Sequence, residues 1–281
     1  MDDYTRTACQ TNEIITKNYS SSFALACRLF DRTTRVHIYN IYGLVRVADE
    51  IVDTFRTGTM TEDLKALRQE VRQALGSGYS SNPVVHGFAY TARTNGIGPD
   101  LIDPFFDSML VDVDPPERFS QKAYDSYIYG SAAVVGLMCL KVFCIDDAAS
   151  YDDLSPGADA LGRAFQKVNF LRDMGADHDR LQRYYFPVGS YDGFDSATKM
   201  AIISDCRHDF SVASEAIPRL PSYASRAAVT AAFNTYVKLL ERLEAAPAET
   251  VRTQRLRLGS IQKAWLFVRA ILTDQVRIPT S

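Results

Sequence analysis

The chain has 281 residues, 46% of them hydrophobic, enough to bury a large core as one domain of the longer kind or as two small ones. Its 31 basic and 34 acidic residues leave a formal net charge of −3 with no block of like charge, so no basic stripe is present to neutralise a phosphate backbone and nucleic acid is not an expected partner. Cys9, Cys27, Cys139, Cys144 and Cys206 form no C-x-x-C pair and the histidines stand apart, which speaks against a zinc site or disulfide framework and for free thiols in a reducing cytosol.

The N-terminal stretch "MDDYTRTACQTNEII" begins acidic and lacks an apolar run, so no secretory signal is expected. From there a 3.6-residue periodicity recurs between short Gly, Pro and Ser breaks, and strand-like alternation is almost absent. The pattern predicts helices over 7–27, 33–56, 61–76, 83–95, 99–112, 120–145, 157–179, 196–217, 222–245 and 255–276, punctuated by "SNPV", "DPPERF", "LSPGAD", "YFPVGSYDG", "RLPSYA" and "EAAPAE". None of these breaks is long enough to link independent domains and no long repeat is visible, so one all-α domain over 1–281 is the expectation. The longest apolar run, "AAVVGLMCL" from Ala132, stops at Lys141, short of the roughly 20 residues of a membrane span. A cytoplasmic protein is expected. Peripheral membrane contact enters only through "IQKAWLFVRAIL" (261–272), for which a closing helix of the core is the commoner use.

Within 33–56 the segment "VRVADEIVDTF" sets charges into a stretch built to be buried. At about 100° per residue, Tyr42, Arg46, Asp49 and Asp53 fall within a band of roughly 40–60°. Ile41, Leu44, Val45, Val47, Ala48, Ile51, Val52 and Phe55 fill most of the remaining circumference. That stripe is too narrow for an ordinary solvent face, and interior charge is costly unless it is paired or binds a metal. An Arg46–Asp49 ion pair at (i, i+3) is the plain alternative.

The segment "AFQKVNFLRDMGADHDRLQRYYFP" repeats the pattern: Gln166, Asn169, Asp173 and Asp177 share one helical band with Arg172 at its edge. Aspartates at (i, i+4) stand about 6 Å apart along the axis and repel unless they share a cation. Gly175 weakens the helix by roughly 1 kcal/mol relative to Ala, a cost that implies a close approach there. Oxygen donors without nearby Cys or His suit a hard cation, Mg2+ with Mn2+ as its substitute, rather than zinc. Two such acid pairs need a polyanion to complete the charge balance, and Arg46 and Arg172 stand ready as phosphate partners. The expected ligand is a phosphate or diphosphate ester with an apolar tail.

Four blocks then carry a resemblance: "NYSSSFALACRLF" (18–30), with Ser-x-Ser-Phe at Ser20, Ser22 and Phe23, "IYGLVRVADEIVD" (41–53), "YIYGSAAVVGLM" (127–138) and "NFLRDMGADHDRLQRYYFP" (169–187). Together, in this order, they resemble the squalene and phytoene synthases, head-to-head prenyl transferases of the all-α isoprenoid synthase fold, a helical bundle with a central cavity. The resemblance implies that Asp49, Asp53, Asp173 and Asp177 hold magnesium with Asn169 as a further ligand and Gln166 close by. Ser20, Ser21, Ser22, Tyr42, Arg46 and Arg172 would contact diphosphate, and Tyr127 would look into the reaction cavity. Tyr236 in "FNTYVKLLERLEA" looks like the family's late tyrosine, and its later arginine falls on Arg252, Arg255 or Arg257. Many relatives carry a basic residue where this chain has Tyr19 and Ser21, and Ala-Gly-Thr where it has Ala132-Ala133-Val134.

By this likeness the function is condensation of two geranylgeranyl diphosphates to phytoene through a cyclopropyl diphosphate, in carotenoid biosynthesis. The same chemistry on farnesyl diphosphate, to dehydrosqualene or squalene, is the nearest alternative. A terpene cyclase or prenyl diphosphate hydrolase, and an inactive helical assembly factor, are the others. NADPH is not expected, there being no G-x-G-x-x-G turn after a strand, and no protein partner is readable. Alternative uses stay open for single residues. Ser20–Ser22 also fit a helix start, Tyr127 and Tyr129 fit core aromatics with satisfied hydroxyls, and His178 and Asp179 fit a solvated helix end.

Overall fold

The computed structural model describes residues 1–54, 58–145, 147–181, 183–259, 262, 265, 266 and 270. Among the described residues the regular structure is entirely helical. The helices are α1 (Asp3–Tyr19), α2 (Ser21–Cys27), α3 (Arg32–Asp53), α4 (Met60–Ser77), α5 (Pro83–Asn95), α6 (Pro99–Val113) and α7 (Gln121–Ile128). A π-helical turn over Tyr129–Ala133 leads into α8 (Val134–Phe143), followed by α9 (Ala148–Leu181), α10 (Ser196–Ala216), α11 (Tyr223–Ala245) and α12 (Ala248–Thr253).

Local chemistry accounts for most boundaries. Asp2 starts α1 by accepting from the Thr5 amide, and Asp31 starts α3 by accepting from Thr33 and Thr34. Asn82 caps α5 ahead of Pro83 in the first turn. Gly78 and Gly96, at φ 79° and 67°, end α4 and α5 in the left-handed conformation that glycine adopts without strain.

Four expected helices differ. The 7–27 helix divides at Ser20, whose backbone (φ −144°, ψ 86°) swings α2 off the axis of α1. The 120–145 helix carries the π turn, where Gly130 lies so close to the Pro104 carbonyl that a Cβ would stand 2.2 Å from it, and Ser108 donates to the Tyr127 carbonyl at 3.1 Å. The expected break at "LSPGAD" is absorbed into α9, with Pro156 inside the helix. Ser155 donates to the Tyr151 carbonyl there, and bare Gly157 lets α9 sit against Ala216 of α10, so packing overrides the proline signal. The helix expected over 255–276 falls largely outside the described residues. Arg255–Gly259 is not helical, whereas α12 forms where no helix was expected.

Among the described residues two large apolar clusters build most of the core, with a small third one at Ala26, Ala231 and Ala270. One joins α9, α10 and α11, where Phe210 and Phe233 meet edge to face at 5.2 Å with both rings fully buried; a side chain of that size contributes about 1.5–3 kcal/mol on burial. The other joins α3, α5, α6 and α8 around Ile38, Leu44, Phe88, Phe105, Phe106 and Met138. The continuous helical stretch Gln121–Phe143 is long and apolar enough to cross a membrane, with mean hydropathy 1.5, a length the shorter run from Ala132 did not reveal. It packs on α6 and α9 with more than half of its most apolar 18-residue window buried, as a core helix does. In the 261–272 segment, Leu266 and Ala270 are buried and Trp265 is exposed.

Candidate active site

The site lies where α3, from one apolar cluster, and α9, from the other, present their polar stripes. On α3 the buried face is Ile38, Ile41, Leu44, Ala48 and Val52, while Tyr42, Arg46, Asp49 and Asp53 are half-buried on the remaining strip. Phe55, expected on the apolar side, lies outside the described residues. On α9, Val168, Leu171 and Met174 are buried, and Gln166, Asn169, Arg172, Asp173 and Asp177 are half-buried along one face.

The Tyr42 ring stacks on Phe23 at 5.0 Å, and the Ser20 side chain is among the groups that act on its hydroxyl. Ser21 and Ser22 open α2, but their side chains lie outside the described set. Arg46 takes Glu50 as its close partner. Asp49 is 4.0 Å away, so the (i, i+3) pair is the weaker contact. The guanidinium also lies 4.4 Å over the Tyr19 ring, and its Nε is buried without a partner.

Asp173 is held by two guanidiniums, Arg172 through Nε at 2.8 Å and Nη2 at 2.5 Å, and Arg255 through Nε at 2.6 Å. Among the three candidate C-terminal arginines, Arg255 thus reaches the acids, while Arg252 pairs with Glu249. Tyr236 donates to Asn169 at 3.1 Å, stacks on Phe165 at 4.0 Å and lies near enough to Arg172 to act on its charge. The close approach implied by Gly175 is made by backbone: a Cβ there would stand 2.6 Å from the Arg252 carbonyl oxygen. His178 is not simply solvated, since its ring stacks on Tyr191 at 3.5 Å.

Two residues in contact with the predicted site residues were not singled out from the sequence. Arg183, 3% exposed, places Nη1 3.0 Å from Asp53 and 3.1 Å from the Tyr185 hydroxyl, and its Nη2 donates to the Asp112 carbonyl at 2.5 Å. Asp112, buried near the end of α6, accepts from the Tyr127 hydroxyl at 2.9 and 3.0 Å. A signal for Asp112 existed, because it continues the buried Phe105–Met109 stripe of α6 at helical spacing. Tyr127 is itself buried, its ring stacked with Tyr185 at 5.6 Å, and Tyr185 stacks on Phe170 at 4.1 Å. A cavity of about 760 Å3 opens beside Tyr127, lined also by Pro104, Val111, Phe119 and Tyr129.

The electrostatics tie these elements together. Burial first, then repulsion from Asp53, pushes the Asp49 carboxyl up to about 8, with Arg46 opposing. Its side chain is 34% accessible, the condition of a group on the wall of a recess. Burial and then Asp173 and Asp53 push Asp177 up to about 6. Burial raises Asp112 to about 7 against the pull of Arg183 and Tyr127. Asp53 of α3 repels Asp49 on its own helix, Asp112 of α6 and Asp177 of α9, so at least one acid of each motif lies within electrostatic reach of the other.

Among the described residues no three acidic, histidine or cysteine side chains form a ready-made metal cage. The donor set nonetheless fits Mg2+, which is usually held by one or two carboxylates plus substrate phosphates, and acids raised by burial and then by neighbouring carboxylates are those a cation relieves.

The family model for squalene/phytoene synthase matches residues 16–262. A phytoene synthase of Pseudescherichia vulneris is 31% identical over 180 residues, 61% of this chain and 57% of that protein. A presqualene diphosphate synthase of Rhodopseudomonas palustris is 30% identical over 170 residues, 59% of this chain and 58% of that one, so the chain spans under two thirds of either relative. In fold, a dehydrosqualene synthase solved in complex with ligand matches with a TM-score of 0.79 over 95% of this chain and 96% of its own, at 19% identity. With opposed aspartate motifs on α3 and α9 and a family match over most of its length, the chain belongs to the squalene/phytoene synthase family.

Proposed function

We propose that the chain joins two allylic prenyl diphosphates head to head, and that its substrates are two geranylgeranyl diphosphates, condensed to phytoene for carotenoid biosynthesis. What supports this reading is that Asp53 of α3 and Asp177 of α9 lie near enough to repel each other, with Asp49 and Asp173 on the same helical strips, Arg183 on Asp53, Arg172 and Arg255 on Asp173, and an aromatic stack reached through Arg183. The C20 substrate is supported by the phytoene synthase at 31% identity. A C15 substrate is the second reading, favoured by the presqualene diphosphate synthase at 30%.

Asp49, Asp53, Asp173 and Asp177, with Asn169, would hold Mg2+, which supplies Lewis-acid stabilisation of charge on the departing diphosphate. Arg46, Arg172 and Arg255 bind diphosphate oxygens, and Tyr42, Ser20 and the adjoining serines orient them. These fixed cations favour the charge-separated state more strongly in a half-buried site than in water, so the C–O bond breaks and its electron pair leaves with the diphosphate. The second substrate's double bond attacks C1 of the allylic cation and a proton is lost to close a cyclopropyl diphosphate. That ester ionises in turn, rearranges to the 1-1′ linkage and loses a second proton. Tyr127, Phe170 and Tyr185 offer ring faces to the cations and exclude water.

The test is incubation of purified protein with Mg2+ and, separately, C15 and C20 diphosphates, with and without NADPH, followed by identification of the hydrocarbon. A C40 hydrocarbon with a central triene is expected without NADPH. A C30 product from the C15 substrate alone establishes the second reading. Failure of both substrates to release diphosphate rejects both.

A further inference from the structure

Asp112 and Arg183 lie outside both aspartate motifs, yet they connect one of those motifs to the aromatic stack. Arg183 crosses from the segment after α9 to the end of α6, where the Asp112 carbonyl is among the last of the helix without an intrahelical donor. Its Nη2 takes that carbonyl at 2.5 Å, a cation on a helix C-terminus, and its Nη1 sits 3.6 Å from the Asp112 carboxylate and 3.0 Å from Asp53. The Asp112 side chain is 7% exposed and that of Arg183 3%, whereas Asp53 is 31% exposed. The chain of contacts therefore runs from the interior out to the acid that faces the site.

We propose that Asp112 is a positioning residue of this site: its carboxylate fixes the Tyr127 hydroxyl on one side and the Arg183 guanidinium on the other, and through Arg183 it sets Asp53 for the cation and diphosphate. The proposal rests on the reading of the site given above. The two branches have different consequences. The Tyr127 branch holds a ring on the Tyr185–Phe170 stack, where only the reacting carbocation is affected. The Arg183 branch ends on a diphosphate-side carboxylate, where binding of the head group is affected. Arg183 Nε, buried without a partner, shows that the guanidinium is oriented by its two Nη groups.

The experiment titrates the full chain with Mg2+ and inorganic pyrophosphate by calorimetry, with turnover measured alongside and thermal melting confirming the fold. Asp112→Asn keeps an acceptor for Tyr127 but loses the charge that faces Arg183, and is expected to weaken pyrophosphate binding about 10-fold, the low end for residues that orient metal ligands. Tyr127→Phe cuts only the other branch, and is expected to lower kcat with pyrophosphate binding unchanged. Arg183→Lys retains the charge without the fork and is expected to weaken binding as well; should Asp112→Asn fail to fold, this variant decides. Wild-type binding by folded Asp112→Asn, or by Arg183→Lys where that decides, overturns the proposal, as does equal weakening by Tyr127→Phe. If the wild-type protein itself fails to bind Mg2+ with pyrophosphate, the proposed function and this inference fall together; if it binds and the variants match it, only this inference falls.

Discussion

Arg255 reaches from the segment beyond α12 to Asp173 on α9, its Nε 2.6 Å from the carboxylate already held by Arg172. Without a diphosphate, the acid neutralises two cations that a diphosphate would otherwise engage. Arg255 is 46% exposed at its side chain, so the pair adds little to stability, and under the proposed function its value lies in ligand binding. Arg255→Gln is expected to leave the melting temperature nearly unchanged and to raise KM for the prenyl diphosphate roughly tenfold, the worth of one charge-assisted hydrogen bond. Steady-state kinetics beside a thermal melt checks both halves.

The raised carboxyls give a pH dependence of defined sign. Asp49, Asp112 and Asp177 titrate near 8, 7 and 6 in the fold, above the ~4 of an unfolded chain. A folded-state value above the unfolded one means that the folded protein holds the proton more tightly. The stability this contributes is complete below the unfolded value and is lost as pH rises through the folded values. In divalent-free buffer the melting temperature is expected to fall between pH 5 and pH 9 by way of these groups. Binding of Mg2+ with pyrophosphate at pH 7 is expected to release protons, because the acids must ionise to serve as ligands. Calorimetry in buffers of different ionisation enthalpy measures that release, and a proton count of zero counts against the ligand assignment.

Asp49→Asn and Asp173→Asn are each expected to abolish turnover with the helical fold retained, while their stabilities move in opposite directions. Asp49 is raised first by burial and then by the like charge of Asp53, so its amide removes both the burial cost of the ionised acid and the repulsion, and raises the melting temperature above pH 8. Asp173 carries two arginines, and its loss leaves both guanidiniums near each other without a counter-charge. Near-normal product formation by both variants sinks the metal assignment.

What the sequence made legible was what helical periodicity reports. Tyr42, Arg46, Asp49 and Asp53 share one strip because α3 is buried on the others, and the α9 stripe follows the same rule. The broken elements were less accessible. Ser20 is an ordinary helix-start residue type, and only its backbone conformation reveals that the helix divides there. Pro156 reads as a stop, yet α10 packed on Gly157 carries the helix past it. Arg183 with Asp112, and Arg255 with Asp173, join positions 71 and 82 residues apart, and such pairings belong to tertiary packing rather than to any local pattern.

Gly175 tests how the C-terminal segment is delivered to the site. In a solvent-exposed helix Gly→Ala gains about 1 kcal/mol from propensity. Here the added methyl meets the Arg252 carbonyl oxygen at 2.6 Å and the Thr253 backbone at 3.4 Å, main-chain atoms that cannot rotate aside. Overpacking of that kind costs about 1–3 kcal/mol, so Gly175→Ala is expected to lower stability or to push α12 outward. An outward shift carries Arg255, two residues beyond α12, away from Asp173. The variant should therefore show the raised KM of Arg255→Gln, and little further loss when the two are combined, because both act through one contact. Full additivity in the double-variant kinetics would separate the two residues and leave Gly175 a packing position alone.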